Sequence, residues 1–150
     1  MICRHFGVCG GCAFQDVEYS LQAQLKKSRF ESLANGLGVS GAQFAAAPEL
    51  WHYRNKVEIS FGLGPPPQFL GPLLGFKEKG KWYKVFDLEE CPIFDPLAGA
   101  VARAVRQWAI RENMPVYHQR RNSCFLRHLV LRRGRAKTNE PFLIAMLVTT

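Results

Sequence analysis

Four of the five cysteines of this 150-residue chain have a spacing that suits metal chemistry. Cys3, Cys9 and Cys12 follow the pattern C-x5-C-x2-C, and Cys91 stands far downstream, directly before a proline. Four thiolates can complete the coordination of a zinc ion or of an iron–sulfur cluster. In a reducing compartment, clustered cysteines indicate metal binding rather than disulfides.

The pattern by itself leaves zinc and iron–sulfur open, although two features favour iron–sulfur. A proline after a ligand, as at Cys91, is typical of ferredoxins. The segment between Cys3 and Cys9 is longer than the knuckle of most structural zinc sites, and glycines in and beside it would let backbone amides turn toward sulfur. Cys124 stands apart, and we expect it to be a buried free thiol because two apolar residues follow it in a strand.

The positive charge of the chain indicates a polyanionic partner. The formal net charge is +8, and seven basic residues but no acidic residue lie between His118 and Asn139. Such a one-sided basic segment suits nucleic acid. The alternative is a solvated surface with exposed arginines.

The composition is that of a globular protein, with 47% hydrophobic residues. Met1 to Arg4 lead into the cysteines without an apolar leader segment. The longest apolar run, Phe142 to Val148, is too short to cross a bilayer. We therefore expect a cytoplasmic protein.

A helix is expected after the cysteines, between Asp16 as its cap and Gly36 or Gly38 at its end. Its apolar residues share one helical face. With the cysteine loop, this helix forms the first expected unit, residues 1–46.

The second expected unit, residues 47–150, is rich in strands. Alternating apolar residues and turn signals indicate the strands, with a hairpin turn at Lys79-Gly80. The strands are expected at Tyr53–Phe61, Leu73–Lys77, Lys81–Phe86, Phe125–Arg133 and Pro141–Thr149. A second helix, Leu97–Trp108, should start after Asp95-Pro96. The expected fold class is α+β, with the iron–sulfur loop and first helix packed on a mostly antiparallel sheet and the second helix across one face.

Five segments occur in the order found in the RNA 5-methyluridine methyltransferases. The chain resembles the branch of that family that carries an iron–sulfur cluster and methylates C5 of uridine in ribosomal RNA. The resemblance covers nearly the whole chain, and it implies that one [4Fe–4S] cluster is bound by Cys3, Cys9, Cys12 and Cys91. The matching segments are Cys3–Gln15, Tyr53–Lys56, Gly75-Phe76, Glu90–Ile93 and Arg127–Val130.

The resemblance also implies parts that these 150 residues do not contain. Such enzymes commonly begin with a small β-barrel domain that binds RNA. They end in a Rossmann-like domain that binds S-adenosylmethionine and carries the nucleophilic cysteine and the general base. Cys124 matches no nucleophile motif. We therefore expect a fragment of an RNA (uracil-5-)methyltransferase, truncated at its C-terminus, with no catalytic residue and no methyl transfer of its own.

By the same resemblance, the basic residues are expected to hold RNA while a uridine is extruded for methylation. Two of them project from one face of the first strand, and three cluster at the end of a later one. For each, a solvated surface charge is the alternative. The expected RNA contacts are Arg54, Lys56, Arg127, Arg132, Arg133 and Arg135.

A structural role is expected for the cluster, because it would join the N-terminal loop to the distant Cys91. The alternative function is a stand-alone iron–sulfur or zinc module that binds nucleic acid without catalysis. A ferredoxin-like electron carrier is disfavoured by the basic charge and the single cluster.

Overall fold

The computed structural model of the protein describes residues 2–64, 71–118 and 121–150. Within these ranges lie two helices, α1 (Tyr19–Gly36) and α2 (Ala98–Arg111), and six strands. The predicted α+β class is confirmed. The strands are β1 (Lys56–Leu63), β2 (Pro72–Gly75), β3 (Lys77–Glu78), β4 (Lys81–Val85), β5 (Leu126–Arg135) and β6 (Pro141–Thr149).

Four strands form an antiparallel sheet in the order β2-β1-β5-β6. Alternate residues of β1 point into the core, as the period-2 pattern predicts. Val57 lies opposite Leu131, and Ile59 lies opposite Leu129, so buried side chains of neighbouring strands stack on one face. The opposite face carries Lys56 and the other even-numbered residues of β1, and it is called the outer face below.

The helix α2 packs against β2 through small buried residues. The same helix also lies against the segment after β4, because a Cβ atom at Gly99 would lie 1.8 Å from the carbonyl oxygen of Glu89. The helix begins at Ala98, one residue after the predicted start, and Leu97 rather than Asp95 is its N-cap, without a side-chain hydrogen bond. The Asp95 carboxylate accepts a hydrogen bond of 2.9 Å from the backbone of Leu97 in the turn before the helix. The observed helix runs three residues beyond the expected end at Trp108.

The expected strand Leu73–Lys77 is split in the structure. Its first part, β2, pairs with β1, whereas β3 pairs with β4 in a separate two-stranded sheet. The break falls at Phe76, whose carbonyl oxygen accepts the backbone N–H of Phe86 at 3.1 Å, so the segment at and after the end of β4 pairs with the chain at this point. The hairpin turn at Lys79-Gly80 is present, with a φ of 74° at Gly80.

The hairpin β3–β4 lies directly over the outer face of the sheet. A Cβ atom at Gly62 of β1 would come within 2.6 Å of the Val85 side chain of β4. A glycine at this position therefore allows the two sheets to approach one another.

The helix α1 begins two residues later than expected, and Asp16 is not its cap. The carboxylate of Glu18 caps it instead, accepting from the backbone of Ser20 at 2.8 Å. The reason is a turn before the helix, in which Val17 donates to the carbonyl of Phe14 at 3.1 Å. This turn keeps residues 14–17 out of the helix.

The apolar face of α1 is not covered by the sheet. Every residue of α1, all of which the structure describes, is at least partly exposed. The helix instead contacts the connector that follows it, where the rings of Phe30 and Phe44 lie 6.2 Å apart. The backbone nitrogen of Ala47 donates to the Tyr19 hydroxyl at 2.7 Å.

The first strand begins at Lys56 rather than Tyr53. The residues before it are tied to the segment around Cys91, because Arg54 donates its backbone N–H to the carbonyl of Ile93 at 2.9 Å. Tyr53 is consequently exposed. Cys124 is also exposed, so its expected burial was wrong; its φ of 76° turns the chain just before β5.

Residues 36–41 read Gly-Leu-Gly-Val-Ser-Gly and so have the spacing G-x-G-x-x-G. They follow the helix α1 and lead into a connector. The phosphate-binding fingerprint requires a strand before the glycines and a helix after them. This segment therefore does not form a dinucleotide-binding turn. In the described ranges, neither helix is long and apolar enough to cross a membrane.

Candidate functional site: a cysteine cavity and a basic groove

Four thiols converge on one cavity of about 40 Å³ at the junction of the N-terminal loop and the segment after β4. They belong to Cys3, Cys9, Cys12 and Cys91, the four residues that the sequence predicts as ligands. Cys124 is not among the residues that line the cavity. Within the described ranges, no three His, Cys, Asp or Glu side chains are arranged to hold a single metal ion.

The N-terminal loop is wound so that backbone amides face sulfur. His5 accepts the backbone N–H of Cys9 at 2.8 Å through its carbonyl oxygen, and Gly7 adopts a φ of 85° inside this turn. The backbone N–H of His5 donates to the sulfur of Cys3 at 3.4 Å, and that of Gly11 donates to the sulfur of Cys9 at 3.3 Å. Such contacts stabilise a thiolate more than a thiol.

Backbone contacts attach the loop to the hairpin β3–β4. Lys79 donates its backbone N–H to the carbonyl oxygen of Val8 at 2.8 Å, and Cys9 forms a bridge with Glu78. The loop therefore extends the small two-stranded sheet, and its position depends on the hairpin.

Side-chain contacts attach the loop to the segment that carries Cys91. Arg4 forms ion pairs with Glu89 and Glu90. The ring nitrogen Nε2 of His5 accepts the backbone N–H of Glu89 at 3.1 Å, and the His5 ring lies 4.9 Å from that of Phe86. These contacts bring the loop cysteines and Cys91 together across a long stretch of chain.

Burial raises the pKa of the Cys91 thiol to about 11 and also raises the pKa of Cys3 and Cys9. Arg54, which lines the cavity, opposes this effect at Cys9. As free thiols these groups are protonated at neutral pH, so a metal that binds them must displace protons. In residue type, though not in their present arrangement, four thiols are the ligands that an iron–sulfur cluster or a structural zinc ion uses.

The expected cluster of arginines at the end of β5 is divided between two faces. Arg132 is exposed and lies opposite Lys56 on the outer face. Arg133 points the other way because successive residues of a strand alternate. It lies 3.8 Å from the Asp95 carboxylate and donates to the carbonyl of His52 at 3.2 Å.

The other expected RNA contacts also occupy distinct places. Arg135 donates to the carbonyl of Asn139 in the β5–β6 turn at 3.0 Å. Lys56 lies 3.6 Å from the carboxylate of Glu58 on its own strand. Arg54 belongs to the cysteine cavity. Arg120, one of the seven basic residues counted above, lies outside the described residues.

Arg127 lies in a groove that the sequence analysis did not identify. The groove has a volume of about 410 Å³ and separates the hairpin β3–β4 from the outer face. The Arg127 guanidinium stacks 4.2 Å from the centre of the Tyr117 ring. Trp82 and Tyr83 line the same groove. The sequence offered one signal for this groove, the adjacent aromatic residues Trp82 and Tyr83 between Lys81 and Lys84.

The comparisons with known proteins point to one kind of enzyme, although no family model matches the chain. The chain is 32% identical over 133 residues to a tRNA (uracil(54)-C(5))-methyltransferase of Pyrococcus furiosus. This match covers 89% of this chain and 29% of that protein. It is 32% identical over 151 residues to an uncharacterized RNA methyltransferase of Caldanaerobacter subterraneus, covering 99% of this chain and 32% of that protein.

A solved structure shows the same similarity. The tRNA (uracil-54, C5)-methyltransferase of Pyrococcus abyssi, in complex with S-adenosyl-L-homocysteine, superposes with a TM-score of 0.68 at 26% identity. The match covers 94% of this chain and 31% of that structure. The two Pyrococcus proteins are thus tRNA uracil-C5 methyltransferases, the Caldanaerobacter protein is an RNA methyltransferase, and the chain spans about a third of the length of each.

Proposed function

We propose that this chain is the metal-binding and RNA-holding part of an S-adenosylmethionine-dependent enzyme that methylates C5 of uridine in RNA. The observation that carries the proposal is the similarity of nearly the whole chain to one third of RNA uracil-C5 methyltransferases. The cofactor domain, the nucleophile and the general base would belong to the part of such an enzyme that this chain does not match.

The substrate class of the proposed enzyme is RNA. Relatives from Pyrococcus act on uracil 54 of tRNA, according to their names. The ribosomal RNA target expected from the resemblance stays a prediction. The positive charge of the chain supports either target, since phosphate contacts supply most of the affinity for any RNA.

Cys3, Cys9, Cys12 and Cys91 would hold the proposed [4Fe–4S] cluster. The support is the convergence of the four thiols on one cavity, with backbone N–H groups directed at two of them. When bound, a cluster would supply a covalent link between the N-terminal loop and the segment after β4, and this link would contribute to folding stability.

The outer face of the sheet would hold the RNA. Lys56 and Arg132 lie side by side there, and His128 lies four residues further along β5, a distance of about 13 Å. The cations Lys56 and Arg132 can bind phosphates, and the neutral ring of His128 can offer a hydrogen bond, while a uridine is unstacked for methylation. Arg133 supports this surface from the other side through Asp95 and is not expected to touch RNA.

The cluster is tested by anaerobic reconstitution with iron and sulfide. The wild-type chain should take up about four irons per chain and gain visible absorption. Cys9→Ser and Cys91→Ser should lose most of this uptake, whereas the matched control Cys124→Ser should keep it, because Cys124 lies outside the cavity. Binding of one zinc ion per chain in place of iron would identify a zinc site. Equal iron uptake by all variants would show that the cavity is not the metal site.

The methyltransferase part of the proposal is tested with S-adenosylmethionine labelled in its methyl group. The 150-residue chain should bind RNA and should transfer no methyl group, because the cofactor domain and the nucleophile are expected elsewhere. Methyl transfer by the chain alone would overturn this division of roles.

A further inference from the structure

The groove between the hairpin β3–β4 and the outer face combines aromatic rings with positive charge. Among the described residues, its lining includes the rings of Trp82, Tyr83 and Tyr117 and the cations Lys77 and Arg127, but no carboxylate. Its volume of about 410 Å³ lies within the range of small-ligand sites, about 300–1,000 Å³.

The aromatic side of the groove is a platform that faces solvent. Trp82 is 55% exposed and Tyr83 is 68% exposed, although residues of these types are usually buried. Their rings meet edge to face, with centroids 5.7 Å apart and planes at 86°. Two neighbouring rings at right angles present one ring face and one ring edge to a ligand.

The strand that carries this platform is held by ion pairs. Glu78 lies 3.1 Å from the ammonium of Lys81 and 2.6 Å from that of Lys84. These two lysines flank Trp82 and Tyr83 in the sequence. The contacts also neutralise the carboxylate of Glu78, so the hairpin does not repel an anion at this point.

The opposite side of the groove holds a cation in a fixed position. The Arg127 guanidinium stacks on the Tyr117 ring, and the Tyr117 hydroxyl donates to the side-chain oxygen of Asn122 at 2.6 Å. A stacked guanidinium keeps its N–H donors in the plane of the group, where they can reach a phosphate. The site is thus arranged before any ligand binds.

We propose that this groove binds a single-stranded segment of RNA, with unstacked bases against Trp82 and Tyr83 and phosphates on Lys77 and Arg127. Stacking requires bases that are splayed out, which a duplex does not offer. An acidic peptide would use the two cations but would leave the aromatic platform without a partner. The choice of RNA rests on the proposed function; the location rests on the geometry of the groove.

The first test compares variants of the aromatic platform in the 150-residue chain. The probe is a labelled single-stranded oligouridine, and binding is measured by fluorescence anisotropy at low salt. Trp82→Ala combined with Tyr83→Ala should weaken binding, by roughly 5- to 150-fold for each stacked base lost. Trp82→Phe should keep most of the affinity because a flat ring remains, and Leu37→Ala, at the exposed apolar residue directly after α1, should change nothing.

The second test separates stacking from charge. Lys77→Ala combined with Arg127→Ala should flatten the dependence of log affinity on log salt by about 1.4, since each phosphate contact to a single strand contributes about 0.7. The aromatic double variant should leave this slope unchanged. A duplex of the same length should bind more weakly than the single strand and should not respond to the aromatic variant.

The outcomes distinguish the groove from the function that it serves. If the wild-type chain binds oligouridine and the aromatic double variant binds it equally well, the groove is not the site, whereas RNA binding by the chain still stands. If the wild-type chain binds neither probe, both the groove and the proposed RNA-holding role are wrong. Circular dichroism and a thermal melt of each variant show whether the fold is retained.

Discussion

The N-terminal region, residues 2–46, and the sheet region, residues 47–64, 71–118 and 121–150, are held together by different forces. Among the described residues, all the buried apolar side chains belong to the sheet region. The N-terminal region is attached by backbone hydrogen bonds, exposed ion pairs of Arg4 and the four converging thiols. Exposed ion pairs contribute about 0–1 kcal/mol each. The comparison shows that one region is stabilised by a buried core, whereas the other is held by surface contacts, to which the proposed metal centre would add a cross-link.

The largest expected effect is in the core of the sheet region. Leu129→Ala removes a fully buried side chain from the centre of β5 and should lower the free energy of unfolding by about 2–5 kcal/mol. The matched control Leu33→Ala, on the uncovered face of α1, should change it by no more than about 0.5 kcal/mol. Urea denaturation followed by circular dichroism measures both. Equal losses for the two variants would mean that α1 is packed as tightly as the sheet.

A second pair of variants compares the two helices. Gly99→Ala in α2 places a methyl group against the carbonyl oxygen of Glu89 and should destabilise the chain by about 1–3 kcal/mol. Gly36→Ala in α1 meets no atom within 4 Å and should be neutral or stabilise by up to about 1 kcal/mol. Thermal melts show whether each variant raises or lowers the stability of the chain. A destabilising Gly36→Ala would show that α1 has a packing partner.

A smaller effect on stability, and one that depends on pH, is expected from His128 at the edge of the groove. Burial lowers the pKa of His128; Arg127 and Lys77 lower it further, and the carboxylate of Glu58 opposes them. A histidine with a lowered pKa in the folded state contributes stability that is present above its ordinary pKa of about 6.5 and is lost as the pH falls below it.

The measurement for His128 is the urea midpoint at a series of pH values from 7.5 down to 5. The wild-type midpoint should fall over this range, and part of that fall should be absent in His128→Asn. A pH profile identical in the two proteins would show that His128 titrates as it does in the unfolded chain.

Most of the sheet could be predicted from the sequence, because the buried residues of β1 alternate with exposed ones and β5 is rich in apolar residues that are buried. The strand Pro141–Thr149 was predicted with its observed ends. The split of Leu73–Lys77 could not be predicted, because the break at Phe76 involves a backbone hydrogen bond from Phe86, ten residues away. The cap of α1 was missed because Asp16 and Glu18 are both suitable residues, and only the preceding turn selects Glu18.

The cysteine ligands could be proposed from the spacing of Cys3, Cys9 and Cys12, the proline after Cys91 and the family resemblance, whereas the nucleic-acid surface could not be placed from the sequence. Basic residues close in sequence were expected to form one cluster, but strand alternation separates Arg132 from Arg133, and Asp95 engages the latter. The groove depends on a contact between β4 and β1 at Gly62, which has no local signal in the sequence. Trp82 and Arg127, from two distant segments, line the same groove in the folded chain.

The central claim is that a metal centre orders the N-terminal region, whereas the sheet region is ordered by its own core. Amide hydrogen exchange of the chain, before and after anaerobic reconstitution with iron and sulfide, tests it most directly. Protection should rise in residues 3–12 and around Cys91 on reconstitution, and the amides of β1 and β5 should be equally protected in both states. Protection of residues 3–12 that is already equal to that of β5 before reconstitution, or that does not change when iron is bound, would contradict the account.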